Sequence, residues 1–221
     1  MGLNPNYTIM KTIFNLNTKQ NLNTPYNYAY PFCNQIYKQL AIQELKIGDN
    51  FTQIFKREVY PKDYYLLKPG QIANKFWIIE KGKAILFRNC NGNQVVSHFF
   101  MENDIMAMYP SYCLQIPTEY GICLDDRAVV YEAKWVDLQQ LQTTNAALND
   151  LERKLISLFL LAMMDHSHCL QTMKKNEHIT YIHKHKPLLL TKFQTGQVKT
   201  YFGMGDKTVY RGRKKLQKQR T

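Results

Sequence analysis

No stretch of this sequence stays apolar for the ~18–20 residues that a membrane-spanning helix needs. The longest candidate, Leu155 to Met164, falls short and is flanked by charge, so no membrane partner is expected. The opening residues, rich in Asn, Pro and Thr, lack the basic-then-apolar pattern of a secretory signal, and a cytoplasmic protein is the expectation. Cysteines are few and scattered: Cys33, Cys90, Cys113, Cys123 and Cys169, with no Cys-x-x-Cys pair. That spacing argues against a disulfide framework and against a zinc site. No nucleophile–base pair, phosphate loop or paired carboxylates stand out either. Neither an enzyme nor a bound cofactor or metal is expected.

Acidic residues are also scarce, 17 against 29 basic, for a net charge of +12. The imbalance is local. Residues 174–221 hold 13 basic residues and only Glu177 and Asp206 as acids, whereas residues 1–173 hold 16 basic and 15 acidic residues. An excess confined to under a quarter of the chain points to a polyanionic partner. With 45% hydrophobic residues, the remainder can bury a core.

Residues 1–27 read as a mobile N-terminal arm. Residues 28–135 begin with helical spacing (Phe32, Ile36, Leu40) and a second short helix capped by Asp49 and carrying Phe51, Ile54 and Phe55. From Val59 to Ala133 the pattern becomes short strands: Tyr64–Leu67, Phe76–Ile79, Ala84–Phe87, Val95–Phe100 and Ala128–Tyr131, with Asn91-Gly92 suited to a tight hairpin. This predicts an antiparallel β-roll whose core takes most of the aromatics, with Trp77 and Trp135 at barrel and barrel–helix contacts. Residues 136–173 contain no Pro or Gly and predict one long helix. Its residues Leu148, Leu151, Leu155, Leu158 and Ala162 follow 3–4 spacing, the seam of a two-stranded coiled coil, and predict a homodimer interface. His166, His168, His178, His183 and His185 have no carboxylate at close spacing and are read as solvated or DNA-facing.

Residues 174–221 carry the most specific pattern. Thr195 can cap a helix with Val198, Tyr201 and Phe202 inward, Gly203 can end it in a left-handed turn, and Asp206 suits the start of a second helix. Val209, Gly212 and Leu216 then share one face, while Lys207, Thr208, Tyr210, Arg211, Lys214, Lys215 and Lys218 occupy the other. A helix apolar on one side and cationic on the other fits a helix-turn-helix that reads double-stranded DNA. Lys207, Thr208, Tyr210, Arg211 and Lys214 are the candidate base-reading residues, with Lys199 and Thr200 touching phosphates.

These motifs resemble the Crp/Fnr regulators, in particular the version common in Bacteroidetes, over roughly residues 30–216. Lys199-Thr-Tyr-Phe-Gly-Met-Gly-Asp-Lys-Thr-Val-Tyr-Arg-Gly-Arg-Lys-Lys-Leu216 is similar to the family's A-S-Y-L-G-I-T-P-E-T-L-S-R-I-R-K-K-L. Glu177-His-Ile179 lies where those relatives have Glu-Arg-Tyr. Leu67-Lys-Pro-Gly70, Phe76-Trp-Ile-Ile-Glu-Lys-Gly82 and Asn91-Gly92 look like the β-roll's signals. The resemblance implies an α+β chain: an N-terminal antiparallel β-roll of the cyclic-nucleotide-binding kind, a long dimerisation helix and a C-terminal winged helix-turn-helix. It also implies a homodimer on DNA, with RNA polymerase as a further partner.

Two departures qualify it. Met106 and Ala107 replace the Gly-Glu of cyclic-nucleotide binders, and Glu119-Tyr120-Gly121 replaces their Arg-Ser/Thr-Ala. A cyclic phosphate would meet a carboxylate there instead of a bidentate cation, so Met106, Ala107, Met108, Glu119 and Tyr120 outline an effector pocket that should not take cyclic AMP. Gly205 and Gly212 fall where the family has a Ser/Thr cap and a buried Ile, which predicts a weakly formed reading helix. The competing reading is a small-molecule-binding or protein-interaction module with a degenerate helix-turn-helix.

Overall fold

The computed structural model describes residues 53–102 and 104–218. The arm 1–27, the helix of Phe32, Ile36 and Leu40, and the cap at Asp49 lie outside the described residues. Eight strands follow: β1 (Lys56–Tyr60), β2 (Tyr65–Leu67), β3 (Lys75–Lys81), β4 (Ala84–Cys90), β5 (Asn93–Phe100), β6 (Ile105–Met106), β7 (Tyr120–Leu124) and β8 (Ala128–Lys134). They pair antiparallel in two four-stranded sheets, ordered β1-β8-β3-β6 and β2-β7-β4-β5. Asn91 (φ 50°) and Gly92 (φ 76°) supply the two positive angles of the β4–β5 hairpin.

The second sheet has two apolar faces. Side chains alternate along a strand, so successive residues enter different cores. Ala84 and Leu86 of β4, Phe100 of β5, and Ile122 and Leu124 of β7 join the core between the sheets. Ile85, Phe87, Val96, Phe99 and Cys123 face the other way, into a core completed by the C-terminal helices. Gly121 belongs to this second face, where a Cβ would stand 2.5 Å from the Phe87 ring. The unbroken apolar runs of the sequence thus reflect strands covered on both sides.

A short helix α1 (Tyr109–Leu114) links β6 to β7, and α2 (Trp135–Thr144) follows β8. The single helix expected over 136–173 is broken: α3 runs Ala146–Thr172 and Asn145 separates it from α2. Thr143 and Thr144 turn their hydroxyls onto the carbonyls of Gln140 and Leu141, and Asn145 caps α3 by accepting from the Ala147 N–H. Such side chains compete with the helical ladder. The remainder is helical: α4 (Lys175–His185), α5 (Pro187–Lys192), α6 (Thr195–Phe202) and α7 (Asp206–Lys218). No strand occurs among the described residues after β8, so the wing of the expected winged motif is not found there. None of the described helices is long and apolar enough to cross a membrane.

Candidate nucleic-acid interface

The α6–α7 pair is held by apolar contacts on one side. Val198, Tyr201, Phe202, Met204 and Val209 are buried with Ile182, Leu189 and Leu190 of α4 and α5. Gly203 ends α6 in the left-handed conformation (φ 60°, ψ 32°), as its sequence position predicted. The cap of α6 is Gln194 rather than Thr195: the Gln194 N–H donates to the Gln197 side-chain oxygen, and Thr195 is already helical. Asp206 opens α7.

Lys207, Tyr210, Arg211, Lys214, Lys215 and Lys218 of α7 are all exposed, with Thr208 half-buried beside them. Tyr210 is 66% exposed. Lys207, Tyr210, Arg211 and Lys214 recur at intervals of three, one and three, so they share a face opposite buried Val209 and Gly212. Arg213 instead turns inward, donating to the Phe193 carbonyl at 2.5 Å. Lys199 and Thr200 do not join the open face. Lys199 pairs with Asp206 at 3.1 Å, and the Thr200 hydroxyl accepts the Val96 N–H of β5 at 3.2 Å.

Gly212 is not an empty position. A Cβ on it would lie 2.6 Å from Cδ1 of Ile179, so α4 supplies the side chain that fills the gap. His183 of α4 adds a 2.8 Å hydrogen bond from Nε2 to the Gly212 carbonyl. The expected loss of packing is therefore corrected: glycine here lets α4 and α7 approach. Ile179→Ala should cost about 2–4 kcal/mol of stability. Gly212→Ala alone should be nearly neutral, because a gain in helix propensity of about 1 kcal/mol is offset by the crowded Ile179. The two changes together should recover more than 1 kcal/mol relative to their sum in a double-mutant denaturation cycle; strict additivity would place Ile179 elsewhere.

Two of the five histidines read as solvated or DNA-facing, His166 and His178, are buried. His166 stacks on Tyr201 with ring centroids 3.8 Å apart, and His178 reaches the Cys169 carbonyl at 3.1 Å. Spacing held the clue: Ala162, His166 and Cys169 continue a 4–3 seam that polarity concealed. Asp165 of α3 is fully buried, accepting from the Tyr181 hydroxyl at 2.5 Å with Lys186 Nζ at 4.0 Å. Burial, reinforced by the Asp165 carboxylate, pushes the Tyr181 phenol well above its usual range, and burial lowers the Lys186 ammonium.

His98 of β5 and His166 are pushed down to about 3, first by burial and then by the nearby Lys186 charge. A folded-state value below the unfolded one means the unfolded chain takes up protons that the folded chain refuses. Stability should therefore be level above about pH 6.5 and fall as pH drops below it, by about 1.4 kcal/mol per pH unit for each histidine. Thermal melts from pH 8 to 5 check this, and His98→Gln should flatten part of the slope; an unchanged melting temperature across that span would contradict it.

Four of the five effector-pocket candidates meet at one apolar cluster. Met106 is fully buried and paired with Trp77 across β6–β3. Ala107, Met108 and Tyr120 are half-buried against the same core. Glu119 is exposed and ion-paired to Arg88 at 2.5 Å. Tyr112 of α1 packs edge-on against Phe76 and Trp135, filling the interior beneath.

Leu148 is buried in the chain's own β-roll core, Leu155 packs against that core, and Ala162 is buried; Leu151 and Leu158 lie on α3. Among the described residues of α3, Phe159, Leu160, Met164 and Leu170 are exposed large apolar side chains.

No family model matches the sequence, and no curated protein matches it. Solved structures do. FixK2 from Bradyrhizobium japonicum superposes with a TM-score of 0.63 at 14% identity, covering 75% of this chain and 86% of that one. The c-di-GMP-responsive global regulator CLP of Xanthomonas campestris gives 0.57 at 16% identity, over 77% and 90% of the two chains. A CooA mutant from Carboxydothermus hydrogenoformans gives 0.58 at 13%, over 80% and 82%. The fold is the one these proteins share. They are regulators of the Crp/Fnr type, and at 13–16% identity the likeness is one of fold.

Proposed function

We propose that this chain is a dimeric transcription regulator of the Crp/Fnr type that binds double-stranded DNA through α7 and whose β-roll does not take cyclic AMP in the usual way. The observation that carries the reading is the one-sided cationic face of α7, seated on an apolar helix-turn-helix core. Lys207, Arg211 and Lys214 suit guanine edges and phosphates, and Tyr210 and Thr208 suit thymine methyls. Lys199 and Thr200 would serve the backbone once freed from their present partners. Ile179 behind Gly212 counts against a degenerate motif, and hence against the reading of a bare interaction module.

For the sensor half we propose no cyclic nucleotide: Met106 is core, and Arg88–Glu119 is a matched surface pair. A cytoplasmic location and contact with RNA polymerase belong to the same reading. The dimer would form along α3 through Leu160 and Met164, flanked by Phe159 and Leu170, rather than through the inward row.

A salt-titrated duplex-binding assay tests the DNA reading. Binding should survive competitor DNA and fall steeply with salt, and Arg211→Ala should cost about 1–3 kcal/mol and relax preference at one base position. Shallow binding that ignores sequence and is indifferent to Arg211→Ala would sink it.

A further inference from the structure

Gln194, Gln197 and Thr200, along one side of α6, hydrogen-bond to the β-roll. Asp125, in the turn between β7 and β8, is buried at 6% exposure. Its Oδ1 accepts from the side-chain amides of Gln197 at 2.7 Å and Gln194 at 3.3 Å. Its Oδ2 is ion-paired with Lys83 at 2.8 Å. Lys83 in turn donates to the Lys192 carbonyl and lies 5.3 Å above the Phe193 ring. One turn further along α6, Thr200 accepts the Val96 N–H. Between these polar points the rings of Phe99, Phe193 and Tyr201 meet at 4.4 and 5.0 Å.

Gln194, Gln197 and Thr200 recur every third residue, so one row of hydrogen-bonding side chains on the first helix of the motif is taken up by β5 and the β7–β8 turn. Side chains of this kind, on this helix, are the ones that hold phosphates when a helix-turn-helix crosses the DNA backbone. Base reading and backbone gripping are thus in opposite states: Lys207, Tyr210, Arg211 and Lys214 are open, and the α6 row is occupied.

We propose that Asp125 is an autoinhibitory latch: its carboxylate holds Gln194 and Gln197 against the sensor in competition with the DNA backbone. The proposal rests on the DNA reading above. A sensor-side change that moved the β7–β8 turn would release the α6 row and raise DNA affinity, which gives the sheet a route to the reading helix without a contact to it. The buried carboxylate also opposes a phosphate by charge, so its removal acts in the same direction as its release.

The test compares full-length wild type with Asp125→Ala on one labelled duplex by anisotropy at fixed salt, with amide exchange at Val96 as a second readout. Asp125→Ala should bind about 5–10-fold tighter, the scale of one lost charged hydrogen-bond partner, and its Val96 amide should exchange faster. In wild type, adding the duplex should itself speed Val96 exchange. Asp125→Asn, which keeps the side-chain shape and one acceptor, should fall between the two and stands in if the alanine variant melts early. Equal or weaker binding by both variants overturns the latch and leaves the DNA reading standing. Absence of binding by all three proteins overturns the DNA reading, and the latch with it.

Discussion

Phe202→Ala should lower the melting temperature of the helical signal by about 10 °C or more. Phe202 is 1% exposed and sits at the centre of the second core, with His166, Tyr181 and Tyr201 edge-on around it and His178 tilted beside it. Emptying such a site costs about 3–5 kcal/mol, and each kcal/mol moves the midpoint by about 2–4 °C in a domain of this size. The same core contains Ile85, Phe87, Val96 and Phe99 from the β-roll. The loss should therefore reach the β-roll, although less strongly, because Trp77 and most of the β-roll interior lie in the first core. Circular dichroism at the helical band and tryptophan fluorescence follow the two halves separately. A helical midpoint that stayed in place would mean that the C-terminal helices do not depend on the shared core.

The second large effect concerns assembly. Leu160→Asp with Met164→Asp puts two charges on the exposed row of α3 and should convert the proposed dimer to monomer in sedimentation. Neither side chain supports the chain's own core, being 57% and 60% exposed, so the fold should survive. DNA affinity should fall 100-fold or more, since the second half-site contact is lost as an intramolecular event. The comparison that matters is Leu148→Ala, which should unfold the β-roll without acting on assembly specifically, because Leu148 is inside it. A double-Asp variant that sediments and binds as wild type would place the dimer contact elsewhere.

The reading face of α7 was legible because it needs no knowledge of packing. Cations at intervals of three and four residues beside Val209 and Gly212 define two sides of a helix whatever it rests on. The strands around Asn91-Gly92 were legible for a similar reason, since positive φ at both residues is a local demand. What the sequence concealed was placement that depends on partners. Leu148 and Leu155 have coiled-coil spacing, yet spacing does not say which neighbour the stripe faces, and here it faces the β-roll. The helix α4 carries Lys175, Glu177, Lys184 and three histidines, a composition that hid Tyr181 and Ile182 as core residues. Strand β7 was obscured because Glu119-Tyr120-Gly121 was aligned with a ligand loop, whereas Tyr120 and Gly121 already pair with Arg88 and Phe87. Gly212 looked like a defect until Ile179 was found opposite it.

The interior of the β-roll is filled by Met106, Tyr112 and Phe76. In such a chain a signal would act on how the sheet holds the α6–α7 pair. The buried group of Asp165, Tyr181, Lys186, His98 and His166 lies at the same junction, where burial holds both histidines down.

Selection of bound duplexes from a random pool by the full-length protein, at near-physiological salt and with competitor DNA, tests the central claim most directly. The account predicts enrichment of a two-fold symmetric site whose half-site centres lie about one helical turn, ~10 bp, or a multiple of it apart, with guanine and thymine prominent in each half. Recovery of no motif, with binding that depends on salt alone, would contradict it.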